Sequence, residues 1–201
     1  MASKIKSICV FCGSSSGADP IFEQEARELG KVLAENNITL VYGGGSIGLM
    51  GAIAKEVLNN GGKGIAIVPE PLYKYSSKQI CETIIVPDMH ARKKRMEEEC
   101  DAFIVLPGGY GTMEEMLEMI TWSQLNIHSK PIILLNTKNY FKLFVDWIQL
   151  SVQENFIHPE NRNIFVLCDS TKDIITKLEE YKAPDSRYGI DWSSNDKKAL
   201  V

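Results

Sequence analysis

The sequence predicts a doubly wound, Rossmann-like α/β fold, a mostly parallel sheet with helices on both faces. Three observations carry that expectation. Apolar runs of strand length recur along the 201 residues, and they are near-continuous rather than alternating, as strands covered on both faces are. Segments with helical periodicity lie between several of them, the alternation of a parallel α/β sheet. Three of the strands also run straight into glycine- or serine-rich turns, and open parallel sheets bind ligands beyond the carboxyl ends of their strands.

In chain order, "IKSICVF" (5–11) is the first strand and ends in "CGSSSG" (12–17). A helix over 20–36 leads to "ITLVY" (38–42), which ends in "GGGSIG" (43–48). A helix over 47–60 precedes "GIAIV" (64–68); the irregular stretch 69–83 reads as a flap, and "IIVP" (84–87) as a short extra strand. A helix over 88–100 precedes "AFIVL" (102–106), whose turn is "PGGYGT" (107–112). The rest is a helix over 112–125, a strand "PIILL" (131–135), a helix over 140–154, a strand "IFVL" (164–167) and a helix over 171–181. Residues 1–182 make one domain, and 183–201 are expected to form a polar, mobile tail.

With 44% hydrophobic residues the chain can bury a sizeable core. Its net charge of −4 gives no overall attraction for nucleic acid, so an anion site must be made locally. The longest apolar runs are too short for a membrane span, and "MASKIKSICVFCG" reads as a first strand rather than a signal peptide. Five cysteines, an odd number, do not suggest a disulfide framework; Cys9 and Cys12 sit inside an apolar run and read as packed strand thiols. His90, His128 and His158 are scattered, so no metal site is expected, and a reduced, cytoplasmic protein is.

"GGGSIG" satisfies GxGxxG through Gly43, Gly45 and Gly48, with Glu70 near the place of a ribose-binding acid. That leaves an NAD-dependent enzyme open beside the plainer reading, glycines for close strand–helix packing. No Walker sequence is present, but "PGGYGT" can hold a phosphate on backbone N–H groups at a helix N-terminus. Two carboxylates, Glu114 and Glu115, follow it at once. Thr112 and Glu115 have capping-box spacing, which would account for them locally; the alternative is that one carboxylate faces a neighbouring cation. Such cations lie upstream in "DMHARKKRMEEEC" (88–100). There Lys93–Glu97, Lys94–Glu98 and Arg95–Glu99 have i,i+4 spacing, whereas Arg92 has no such partner; Met89, Arg92/Lys93, Met96 and Cys100 follow one helical stripe, so the arginine points inward. Asp88 or a bound ligand would then partner it.

"FCGSS" (11–15), "GGGSIGLMG" (43–51), "MHARK" (89–93), "PGGYGTMEE" (107–115) and "ITW" (120–122) together resemble the LOG family of cytokinin-activating phosphoribohydrolases, with its PGGxGTxxE motif. Some relatives have carried a lysine decarboxylase label. The resemblance runs from about Ile5 to Tyr181. It implies a nucleotide-binding catalytic domain that hydrolyses the N-glycosidic bond of AMP or of N6-modified adenosine monophosphates, giving free base and ribose 5-phosphate. It further implies a homodimer, with no cofactor, metal, nucleic acid or membrane. Arg92 and Glu115 match the catalytic pair, with Glu114 the alternate carboxylate. Nucleotide binding is implied for Lys93, Gly108, Gly109, Tyr110, Gly111, Thr112, Met113, Glu114 and Thr121, and for Gly13, Ser14, Gly44, Gly45 and Met89. Lys74 stands where the family suggests a substrate-contacting acid. A nucleotide carrier without turnover remains the other alternative.

Overall fold

The computed structural model describes residues 5–75 and 79–192. Seven parallel strands form one sheet: β1 (Ser7–Phe11), β2 (Thr39–Tyr42), β3 (Gly64–Pro69), β4 (Glu82–Val86), β5 (Ala102–Val105), β6 (Ile132–Leu135) and β7 (Val166–Cys168). Their order is β4-β3-β2-β1-β5-β6-β7, with Val10 opposite both Tyr42 and Ile104 at the centre. The chain builds outward from β1 to β4, then returns to the other side of β1 to lay down β5. The β1–β5 boundary is therefore the topological switch point, where a crevice opens at the carboxyl ends of the strands.

The helices are α1 (Pro20–Glu35), α2 (Gly48–Asn59), α3 (Glu70–Tyr75), α4 (Met89–Glu98), α5 (Tyr110–Gln124), α6 (Lys142–Gln153) and α7 (Ile174–Glu180). Strand residues alternate between two cores. Ile8, Val10, Leu40, Tyr42, Ile104 and Ile133 pack beneath α1, α2 and α7. Cys9, Phe11, Val41, Phe103, Val105 and Leu134 pack beneath α4, α5 and α6. Burial on both faces explains why the strands lack polar alternation. Asp19 and Asp88 set helix starts, their side chains accepting from the amides of Ile21 (3.0 Å) and Ala91 (2.8 Å). Each such cap is worth about 1 kcal/mol.

Three expectations change. The optional strand at 84–87 is a full member of the sheet, five residues long and paired along β3. The stretch expected as an irregular flap begins with the short helix α3; residues 76–78 of it lie outside the described residues. Residues 183–192, expected in a mobile tail, are strapped across the carboxyl end of α5. Arg187 donates to the His128 carbonyl at 2.9 Å, the Tyr188 amide to Gln124 at 2.9 Å, and the Trp192 indole to Leu125 at 2.8 Å. A helix end leaves several carbonyls without intrahelical donors, and this segment supplies them. The remainder of that tail, 193–201, lies outside the described residues.

Candidate active site

The turn after β1 and the turn after β5 meet at the switch point, where the Gly13 amide donates to the Pro107 carbonyl at 3.0 Å. Between them and α4 lies a cleft of about 370 Å³ whose walls include Gly13, Ser14, Gly43, Arg92, Gly109–Thr112 and Glu115. A second chamber of about 300 Å³ adjoins it and shares Gly13, Ser14 and Gly109. Its other walls include Ser15, Ser16, Phe22, Gly108 and Tyr140.

The pair at the heart of the cleft comes from two helices. Arg92 lies one turn into α4 on its inward stripe, and Glu115 lies in the second turn of α5 beside the core residue Met116. Both are buried, and Arg92 Nη1 stands 3.0 Å from Glu115 Oε1. Arg92 is held from the other end as well, its Nε donating to the Ile67 carbonyl at 3.2 Å. Burial pushes the Glu115 carboxyl above the ordinary glutamate value; Arg92 and Lys93 pull it down, while Glu114 and Glu118 add to the rise. The result is a carboxylate with little water around it and one guanidinium as direct counter-charge.

Helix α5 begins at Tyr110, two residues before the predicted start, with Gly109 as its N-cap and no side-chain cap. Thr112 is thus the third helical residue, and the capping box expected with Glu115 does not form, because Glu115 turns to Arg92 instead. The first-turn amides of Tyr110, Gly111 and Thr112 have no intrahelical acceptor, and they face the cleft at the positive end of the helix. A phosphate fits there. Glycine is required at 108, where a Cβ would stand 2.1 Å from Thr112 Oγ1 and 2.9 Å from the Gly13 nitrogen.

Of the residues expected at the site, the structure brings Arg92, Glu115, Gly13, Ser14, Gly109, Tyr110, Gly111 and Thr112 to one cleft, with Gly108 on the adjoining chamber. Several others stand outside its lining. Lys93 is buried between α4 and α5, bonded to Glu114 and ion-paired with Glu118 at 3.0 Å. The expected Lys93–Glu97 pair is absent, since Glu97 takes Lys130 at 2.5 Å; Lys94–Glu98 and Arg95–Glu99 do pair. Met113 packs against the α5-side core, and Met89 is exposed with its sulfur 3.9 Å from Arg92 Nη1. Thr121 is exposed, its hydroxyl donating to the Leu117 carbonyl at 2.8 Å, eleven residues or about 16 Å along the helix from Tyr110. Gly44 packs against Val68 and Gly45 against Met50, so neither walls the cleft. Lys74 pairs with Glu70 at 2.8 Å on the surface, and Asp88 is spent on its helix cap.

The turn "GGGSIG" leads into a helix whose first amides already have a partner. The amides of Leu49 and Met50, at the start of α2, point to the Gly13 carbonyl at 3.2 and 3.4 Å. Its first glycine has a different use. A Cβ at Gly43 would stand 2.1 Å from Arg92 Nη2, so the missing side chain makes room for the guanidinium. The sequence leaves Gly43 between a nucleotide fingerprint and a close-packing glycine; the signal for its neighbour is the inward stripe carrying Arg92. Phe22 and Tyr140 were also missed as walls, because only the fold brings them 6.0 Å apart beside Gly108. Among the described residues there is no cluster of metal-ligating side chains, and no helix is long and apolar enough to cross a membrane.

Comparison with known proteins gives concordant results. The family described as "Possible lysine decarboxylase" matches residues 50–178. The chain is 49% identical over 181 residues to the probable cytokinin riboside 5'-monophosphate phosphoribohydrolase LOGL2 of Oryza sativa subsp. japonica, covering 89% of this chain and 74% of that protein. It is 49% identical over 181 residues to the cytokinin riboside 5'-monophosphate phosphoribohydrolase LOG1 of Arabidopsis thaliana, covering 89% and 85%. Among solved structures, the molybdenum cofactor carrier protein of Chlamydomonas reinhardtii superposes with a TM-score of 0.65 at 19% identity, over 86% of this chain and 95% of that one. At that identity the likeness speaks to the fold alone.

Proposed function

The chain belongs to the LOG family of cytokinin riboside 5'-monophosphate phosphoribohydrolases, and from that membership we propose that it hydrolyses the N-glycosidic bond of adenosine 5'-monophosphate-type nucleotides. One observation carries the residue assignment: the Arg92–Glu115 pair, at 3.0 Å, stands in the same cleft as the unbonded first turn of α5. The nucleotide phosphate binds the amides of Tyr110–Thr112, which leaves the sugar beside Glu115. As the C1'–N9 bond breaks, positive charge develops on the ribose, and the Glu115 carboxylate stabilises it and orients the attacking water. The water oxygen bonds to C1', its proton is released, and the base departs with a proton from solvent. Arg92 keeps Glu115 ionised against the burial that favours its neutral form.

The test is chromatographic release of free base and ribose 5-phosphate from AMP and from isopentenyladenosine 5'-monophosphate. Activity on at least one of them is expected, with Glu115→Gln and Arg92→Ala each lowering kcat by about 10²–10⁴-fold while circular dichroism stays native. Wild-type rates in both variants would overturn these roles.

Two further features belong to this reading. Tyr110, Leu117 and Thr121 share one exposed face of α5 beside the cleft mouth, which supports a homodimer through that helix. In such a dimer Thr121, exposed on that same face, serves the cleft of the other subunit. Five free cysteines, four of them buried, support a reduced, cytoplasmic setting.

A further inference from the structure

Lys93, the cation next to Arg92 on α4, is not among the residues that line the cleft, yet it is among the most completely buried charges of the described residues. Lys93 retains 5% of its exposure and contacts two carboxylates of the neighbouring helix, Glu114 and Glu118. Those two stand four residues apart on one side of α5; Glu115 faces the cleft instead, one turn from Glu118 and adjacent in sequence to Glu114, and the charge of both acts on it. Three carboxylates thus crowd into five residues, and two consecutive α4 residues divide the work: Arg92 takes Glu115, Lys93 takes the other two.

We propose that Lys93 is a positioning residue for the hydrolysis, pinning Glu114 and Glu118 outside the cleft and offsetting their charge so that Glu115 stays ionised toward the sugar. This rests on the phosphoribohydrolase reading. The groups facing Glu115 are Arg92 and Lys93 from α4, Glu114 and Glu118 from α5, and the thiols of Cys9 and Cys12 from β1 and the turn after it. Burial keeps both thiols neutral, which leaves the two glutamates as the like charges to be offset. Burial also opposes the Lys93 ammonium, but its two carboxylate partners outweigh this and raise its pKa. Glu97, four residues on, does not compete for Lys93, because it is held by Lys130. Without Lys93, only Arg92 is left to oppose the repulsion from Glu114 and Glu118, so Glu115 takes up its proton at higher pH.

The experiment is the pH profile of base release from isopentenyladenosine 5'-monophosphate by wild type, Lys93→Met, Lys93→Arg and the triple variant Lys93→Met/Glu114→Gln/Glu118→Gln. In Lys93→Met the acid limb of kcat should move up by about one pH unit with KM changed less than about threefold, the size expected of losing one nearby opposite charge. Lys93→Arg should stay near wild type, and the triple variant should bring the limb back. A tenfold or larger rise in KM with an unmoved limb would overturn the proposal in favour of direct nucleotide contact. A triple variant as impaired as Lys93→Met would overturn it too. Carbon-13 NMR titration of the Glu115 carboxyl reads the same shift without turnover. An unchanged titration in Lys93→Met refutes the role of Lys93, whereas an inactive wild type with a shifted titration refutes only the reaction.

Discussion

Gly43→Ala tests the site at a residue without a side chain. The backbone there lies outside the left-handed region, so alanine is tolerated conformationally, and the effect falls on what the new methyl meets. It would stand 2.1 Å from Arg92 Nη2 and 3.3 Å from Met50 Sδ. Ordinary contacts need about 3.5 Å, so the guanidinium must retreat by roughly 1.4 Å. Arg92 has little slack, being held at 3.2 Å on the Ile67 carbonyl and 3.0 Å on Glu115. Retreat weakens the hydrogen bond to Ile67 or the ion pair with Glu115, at a cost of about 1.5–3 kcal/mol. A misplacement of this size lowers kcat by about 10²-fold. Steady-state base release measures the activity, and thermal melts measure the stability, with an expected loss of about 3–12 °C for a chain of this size. Activity within threefold of wild type, together with an intact Arg92–Glu115 pair in a crystal structure of the variant, would refute the idea that the glycine exists to admit the arginine.

Three other outcomes follow from the same structure. His128 is buried and neutral, its Nε2–H donating to the Met119 carbonyl and its Nδ1 accepting from the Lys130 amide; burial lowers its pKa from 6.5 to about 4. Its contribution is complete above about pH 6.5 and lost as pH falls toward 4, up to roughly 3 kcal/mol, so denaturant melts of wild type and His128→Gln should converge as pH is lowered through that window. Arg187→Ala removes the bonds to the His128 carbonyl (2.9 Å) and the Ser129 hydroxyl (3.2 Å), and should cost about 1–3 kcal/mol in urea; no change would mean that 183–192 is the loose tail the sequence suggested. Light scattering at micromolar concentration should give twice the 22.5 kDa chain mass, and Leu117→Glu should halve it; a monomeric wild type would end the dimer reading.

Legibility differed sharply between the sheet and the cleft. Runs such as "AFIVL" and "PIILL" have little choice of environment: apolar on both faces, they must be covered on both, and that alone implies central parallel strands. The short "IIVP" was harder, since an edge strand is apolar for fewer residues and its pairing along β3 is a long-range fact. The three small-residue turns correctly marked one rim, and the inward stripe of α4 marked Arg92. At 112–115, local chemistry pointed the wrong way: a threonine and a glutamate at capping spacing satisfy each other in an isolated helix, and nothing nearby in sequence announces an arginine twenty-three residues upstream.

What the sequence by itself determined is therefore the layer order of the fold, the turns that line the cleft and the family, because periodicity and close-range motifs are properties of neighbours along the chain. Tertiary structure decided which charges meet. Crossing from β4 back to the flank of β1 brings α4 against α5, and only that crossing gives Arg92 to Glu115, Lys93 to Glu114 and Glu118, and Lys130 to Glu97. A long cationic side chain can serve any carboxylate within its reach. In an isolated helix that is the partner one turn away; in the folded protein it is the one whose burial would otherwise leave it uncompensated.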